Sequence, residues 1–190
     1  MWADLSPSPP LIQWGVVLGA TLAAAVTDLW ARRIPNALTF PLLIAGVAWS
    51  ASTWGWLGAA ESVGACVVLA LPYIILFVFG GGGAGDAKLM GAIGAWLGLM
   101  QGAVVLLAVS LCGAALALAC AAAQGRLRPV LSNIAGVTAA WVAAAGLRRG
   151  YGEAIRDVPS AKDMATIPYG VAIFLGVCLS AGVMRWIVPA

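Results

Sequence analysis

The chain is short of charge and has no histidine. Of its 190 residues, 9% are Asp, Glu, Lys or Arg, against about 25% in an ordinary soluble domain. So few charges cannot face a whole surface toward water, and a soluble globular domain is excluded. A hydrophobic content of 63% and a mean hydropathy of +1.00 make it an integral membrane protein, read as one domain over residues 1–190. Without histidine there is no Ser-His or Cys-His nucleophile pair. The four cysteines, Cys66, Cys112, Cys120 and Cys178, stand singly in apolar runs with no CxxC pair, so a zinc knuckle is not expected. They read as small buried hydrophobes, and neither a metal nor a cofactor is anticipated. A net charge of +3 is a weak nucleic-acid signal; in this composition it reflects orientation in the bilayer.

The opening MWADLSPSPP carries no basic residue ahead of the first apolar run, unlike a secretory signal, so residues 11–27 read as a retained span with the N-terminus outside. A spanning helix needs about 20 mostly apolar residues. Candidate spans fall near 11–28, 37–54, 58–80, 87–100, 102–124 and 166–188, with another apolar stretch near 130–147. The fourth is short, which suggests a helix shielded by protein or a re-entrant segment. Trp54 and Trp56 suit an interfacial aromatic belt.

Crossing at each of the first five spans puts Arg32, Arg33, Lys88, Arg126 and Arg128 on the cytoplasmic side, as the positive-inside rule asks. If 130–147 lies along the cytoplasmic interface instead of crossing, nine of the ten basic residues stay inside and only Arg185 lies outside. The fold expected is therefore all-α and polytopic: about six transmembrane helices, both termini outside, and an additional interfacial helix near 130–147.

Of seven acidic residues, Asp4 lies in the N-terminal tail, and Glu153, Asp157 and Asp163 lie in a polar loop where solvation is the ordinary explanation. Glu61 begins the third span on the outer side and reads as interfacial. Asp28 ends the first span and Asp86 opens the fourth, so the topology puts both at one depth on the cytoplasmic face. Ionisable groups at membrane depth usually face a bundle interior or a wet cavity. Two carboxylates within a few ångströms do not both ionise comfortably, and a pair sharing one proton can activate water and polarise a carbonyl, the chemistry of an aspartic protease. The alternative is two helix-end charges, Asp28 paired with Arg32 and Asp86 with Lys88. The glycines of GGGGAGDAKLM, Gly80–Met90, allow close backbone approach and positive φ beside Asp86.

Gly83-Ala84-Gly85-Asp86 resembles the GxGD signature of intramembrane aspartic proteases, and DLWARRIPN, Asp28–Asn36, resembles the aspartate-bearing segment that prepilin peptidases carry after their first span. With the six-span layout, the resemblance to the type IV prepilin peptidase family covers roughly 11–188. It implies an endopeptidase of the bacterial cytoplasmic (inner) membrane that removes short basic leaders from type IV prepilins and pseudopilins. Asp28 and Asp86 would be its catalytic pair. Arg32, Arg33, Pro35 and Asn36 would shape the loop beside Asp28, Gly83 and Gly85 the approach to Asp86, and Lys88 would lie next to Asp86. The late segment IPYG, Ile167–Gly170, resembles the family's last-span motif; Pro168 would end the cytoplasmic loop and Tyr169 would line the site or serve as an ordinary interfacial anchor.

Larger members carry a cytoplasmic insert with paired CxxC motifs and N-methylate the mature pilin. This sequence has no such pair and resembles the compact form associated with tight-adherence (Flp-type) pili, for which peptidase activity without methyltransferase activity is expected. Archaeal preflagellin peptidases are also compact and stay open as an alternative. Presenilin-like proteases share GxGD but pair it with YD and PAL motifs absent here. A transporter or assembly protein with intramembrane carboxylates is the non-enzymatic alternative; it would need acidic groups spread across the membrane and would be favoured by an inverted repeat. The oligomeric state is not legible.

Overall fold

The computed structural model describes residues 11–80, 83–125, 127 and 169–187. The 130–147 stretch, Pro168, Asp4 and the acidic residues of the polar loop lie outside them. The described residues are helical: α1 (Leu11–Ala31), α2 (Asn36–Gly80), α3 (Ala84–Ala123) and α4 (Tyr169–Ile187). The first three are long and apolar enough to cross a membrane. α4 is nearly as apolar along its length.

α2 and α3 are not straight rods. Gly55 (φ 67°, ψ −154°) and Gly98 (φ 74°, ψ 179°) occupy a region of backbone space that is essentially closed to residues with a Cβ. Each marks a reversal. A straight helix would hold residues eight apart at about 12 Å; instead a Cβ on Gly102 would sit 3.6 Å from the Cα of Gly94, and one on Gly58 would meet the carbonyl of Ser50. Ser50 and Ser62, on opposite sides of Gly55, both donate to the carbonyl of Ala95, at 3.4 and 2.8 Å. Each long helix is thus a pair of arms folded back on itself. Trp54 and Trp56, both exposed, flank the first reversal.

The first arm of α3 is the centre of the bundle. Every residue from Leu89 to Leu97 is buried, so this short helix is apolar on all sides and enclosed by protein. The two arms of α2 lie against it, the first running parallel and the second antiparallel. Trp96 donates its Nε1–H to the carbonyl of Leu42 at 2.8 Å and stacks at 6.1 Å on Trp49. On the other side Gly91 and Gly94 admit Cys66 and the carbonyl of Ala65 at distances that a side chain would forbid. Small residues at helix contacts are what the bilayer favours, because lipid tails compete equally for apolar side chains and close packing must supply the association. The second arm of α3 runs back along α4, where Gly176 meets the backbone of Val109, and α4 packs along α1. The outer faces are apolar too: Val63, Val67, Leu71, Ile74 and Val78 of α2 are exposed, as lipid-facing side chains would be. Several hydroxyls along the helices donate to carbonyls one turn back, as Thr21 does to Val17 and Ser180 to Gly176, and these are satisfied without water.

These elements, up to Gly113 and again from Tyr169, belong to one compact unit; residues 114–167 cluster separately, and only the end of α3 and residues 124, 125 and 127 of them are described.

Replacing Gly98 by Ala should lower stability by about 1–3 kcal/mol, the usual cost of forcing a Cβ into this backbone region. Gly15→Ala, in an open helical position of α1, should be neutral or stabilising by about 0.5–1 kcal/mol. Thermal unfolding of the two variants in one detergent would check the contrast.

Candidate active site

Asp28 lies in the last turn of α1, 8% exposed. The helix ends just beyond it because Arg32 turns into the left-handed region (φ 48°) and its N–H caps the carbonyl of Asp28 at 2.9 Å. Glycine usually holds that position, and Arg there stores backbone strain. The Asp28 carboxylate reaches across the bundle: its Oδ2 accepts the N–H of Gly170 at 2.8 Å. Gly170 is in the first described turn of α4, where N–H groups have no partner inside the helix. An anion is favoured at such a terminus by both the free donors and the helix dipole.

Asp86 occupies the same kind of place on α3. Gly83 precedes the helix and its carbonyl accepts the Asp86 N–H at 3.1 Å, which makes Asp86 the third residue of the first turn. Its carboxylate folds back over Gly83, whose backbone N–H meets it; a Cβ at 83 would lie 2.6 Å from the Asp86 Oδ2. That is the geometry of a capping box with glycine at the cap. Two helix N-termini therefore each hold one carboxylate, and the two carboxylates lie within Coulombic range of one another.

Two contacts clamp the Asp-bearing segments together. Gly85 lies against Ile34, where an added Cβ would approach the Ile34 Cβ to 3.0 Å. Lys88 donates to the Asn36 side chain at 2.9 Å and lies over the Phe40 ring at 5.3 Å, rather than pairing with Asp86. Pro35 is half-buried and caps α2 with its carbonyl, which accepts the N–H of Leu38 at 3.0 Å. Arg33 is exposed beside it. Tyr169 is half-buried, with its ring against Gly113 and edge-on to Tyr73 at 5.8 Å. Glu61 sits beside Gly98, about 18 Å along the second arm of α2 from Tyr73, and so belongs to the other end. Among the described residues no three His, Cys, Asp or Glu side chains gather as metal ligands would.

Of the residues expected from the sequence, Asp28, Pro35, Asn36, Gly83, Gly85, Asp86, Lys88 and Tyr169 thus come to one end of the bundle, with Arg32 and Arg33 on the loop between α1 and α2. Sequence reasoning missed Ile34, Gly170 and Tyr73. Gly170 was within reach, as the last residue of IPYG; Ile34 and Tyr73 look like any apolar neighbours.

The arrangement is a pair of neighbouring carboxylates at the junction of four helical segments. A profile of the type IV leader peptidase family matches residues 15–118, which include both aspartates. The chain belongs to that family. Among similar proteins are a prepilin leader peptidase/N-methyltransferase of Burkholderia pseudomallei (strain 1026b), 36% identical over 117 residues, and proteins of the same description from Aeromonas hydrophila, 34% over 117 residues, and Klebsiella pneumoniae, 32% over 100 residues. The matches cover 57%, 53% and 50% of this chain but only 37%, 39% and 44% of those relatives, so the chain corresponds to less than half of their length. No solved structure matches the chain.

A side chain at Gly170 would meet the Asp28 Cβ at 2.9 Å and the Ala24 carbonyl at 3.3 Å. Gly170→Val is expected to destabilise by about 1–3 kcal/mol through overpacking. Gly19→Val, at an open position on α1, should change stability by less than about 0.5 kcal/mol. Their unfolding midpoints, measured side by side, would test whether the Asp28 contact is as tight as described.

Proposed function

We propose that this chain is a membrane aspartic endopeptidase that cleaves the short basic leader from type IV prepilins and pseudopilins, of the Flp type, at the cytoplasmic face of the bacterial inner membrane. The observation that carries the reading is the convergence of Asp28 and Asp86 at two helix N-termini inside a segment matched by the leader peptidase family. The relatives, named as prepilin leader peptidases, supply the substrate class.

In this reading the two aspartates share one proton and one water. The ionised carboxylate takes a proton from water as its oxygen adds to the scissile carbonyl carbon, and the protonated one gives its proton to the carbonyl oxygen, leaving a neutral gem-diol. Collapse returns a proton to the amide nitrogen, the C–N bond breaks, and the leader leaves with a new carboxylate. The Gly170 and Gly83 N–H groups keep their carboxylates oriented throughout. Arg32, Arg33, Pro35 and Asn36 shape the loop on the Asp28 side, and Lys88 braces Asn36.

Six crossings with both termini outside fit this chemistry, and the reversals at Gly55 and Gly98 support them by dividing two long helices into four arms. An interfacial 130–147 segment keeps the basic residues on the cytoplasmic side. We infer peptidase activity without N-methylation, since the four cysteines are dispersed and none lies at CxxC spacing. The grouping of Asp28 and Asp86 at one end, away from Glu61, favours a peptidase over a transporter, which needs acidic groups along a path.

Co-expression with a Flp-type prepilin, followed by mass spectrometry of the pilin N-terminus, tests the reading. The unaltered chain should remove the leader, whereas Asp28→Asn and Asp86→Asn, at equal membrane levels, should each lower the cleavage rate by roughly 10²–10⁴-fold. Cleavage that survives both substitutions would rule the dyad out.

A further inference from the structure

Tyr73 carries a buried hydroxyl in the largely apolar second arm of α2. It is 6% exposed, within the hydrophobic core. Its ring meets that of Tyr169 edge-on, with an interplanar angle of 68°. Its hydroxyl is buried with no hydrogen-bond partner of good geometry among the described residues, its nearest polar neighbour being Tyr169, and it lies within Coulombic range of Asp86. Phenylalanine would fill the same space without burying an unpaired donor, which weakens a fold. Buried groups of this kind call for an explanation, and a donor held for the reaction is one.

The surroundings say what it would donate to. Tyr169 precedes Gly170, whose N–H holds Asp28, and Tyr73 packs edge-on against Tyr169 within Coulombic range of Asp86. The phenol therefore packs against the residue next to the anchor of Asp28, at the end of the bundle that holds the two carboxylates. Tyr169 is braced by its close contact with Gly113 and in turn fixes the Tyr73 ring. A neutral donor suits this place, because it adds no charge to compete with the dyad for its proton.

We propose that Tyr73 is a further catalytic residue, whose hydroxyl donates a hydrogen bond to the carbonyl oxygen of the scissile peptide bond as that oxygen gains negative charge. The inference rests on the peptidase reading above. Tyr73 keeps its proton throughout: the water proton goes to the ionised aspartate, the proton on the other aspartate goes to the carbonyl oxygen, and the phenol only stabilises charge in passing. A donor aimed where charge develops acts on the transition state more than on bound substrate, so its removal lowers kcat and spares KM.

The test uses the full chain in detergent with a prepilin that it cleaves in an Asp86-dependent manner. Tyr73→Phe keeps the ring and removes only the hydroxyl. We expect kcat to fall roughly 10²-fold, with KM within about twofold and the unfolding midpoint unchanged or raised. A kcat within about twofold of the parent would overturn the proposal while leaving the peptidase reading intact. So would a loss of kcat matched by a lower unfolding midpoint, or a loss confined to Tyr169→Phe. Failure of the folded, unaltered chain to cleave any member of a panel of prepilins would instead overturn the peptidase reading, and this role with it.

Discussion

The hydrogen bond from the Gly170 N–H to the Asp28 carboxylate is the constraint on which the site rests. It joins the end of the first helix to the start of the last described one, and it gives a buried acid a backbone donor. In hydrocarbon a lone carboxylate is costly, and a basic partner would quench the chemistry proposed for it. A helix N-terminus answers both demands, since its free N–H groups supply donors and partial positive charge with no titratable group. Asp86 is held by the same physics at the start of α3. The two acids are thus oriented by backbone, and glycine stands at both contacts because a side chain would displace the carboxylate it is meant to hold.

The enclosed first arm of α3 turns this local solution into an architecture. Because it is buried on every side from Leu89 to Leu97, its position is set by several neighbours at once, and Asp86 at its head inherits that rigidity. The side-chain bonds to the Ala95 and Leu42 carbonyls hold the arms of α2 against it. Gly85 against Ile34 and Lys88 against Asn36 then bring the loop after Asp28 onto the loop before Asp86. The closest helix-to-helix approaches fall at glycines, such as Gly91, Gly94 and Gly176, as expected where lipid removes the hydrophobic advantage of burial.

Much of this was legible from the residues. The apolar runs and the spread of Lys and Arg gave a polytopic helical protein and put Asp28 and Asp86 at one depth; the short fourth run announced a shielded helix. Three things were not legible, for physical reasons. The Gly170 anchor is a backbone group and leaves no trace in side-chain identity. With 24 glycines in the chain, nothing local distinguishes Gly55 and Gly98, which reverse it, from Gly15 and Gly19, which lie in plain helix. Tyr73, inside LPYIILFVF, looks like any aromatic in a span until the fold sets it against Tyr169, next to the anchor of Asp28. Lys88 was weighed as a partner for Asp86, two residues away, yet side chains two apart on a helix point in different directions, and Lys88 reaches Asn36 instead.

The contact between Asp28 and Gly170 spans 142 residues. At a synthesis rate of roughly 5–20 residues per second, those positions leave the ribosome about 7–28 s apart. Throughout that interval Asp28 already stands at the end of a finished helix without the group that orients it, so the two acids acquire their final geometry only when the last described helix arrives. A chain interrupted before that point would carry both aspartates and still lack the arrangement around them, which makes the arrival of the Gly170 segment the event that completes the anchor of Asp28.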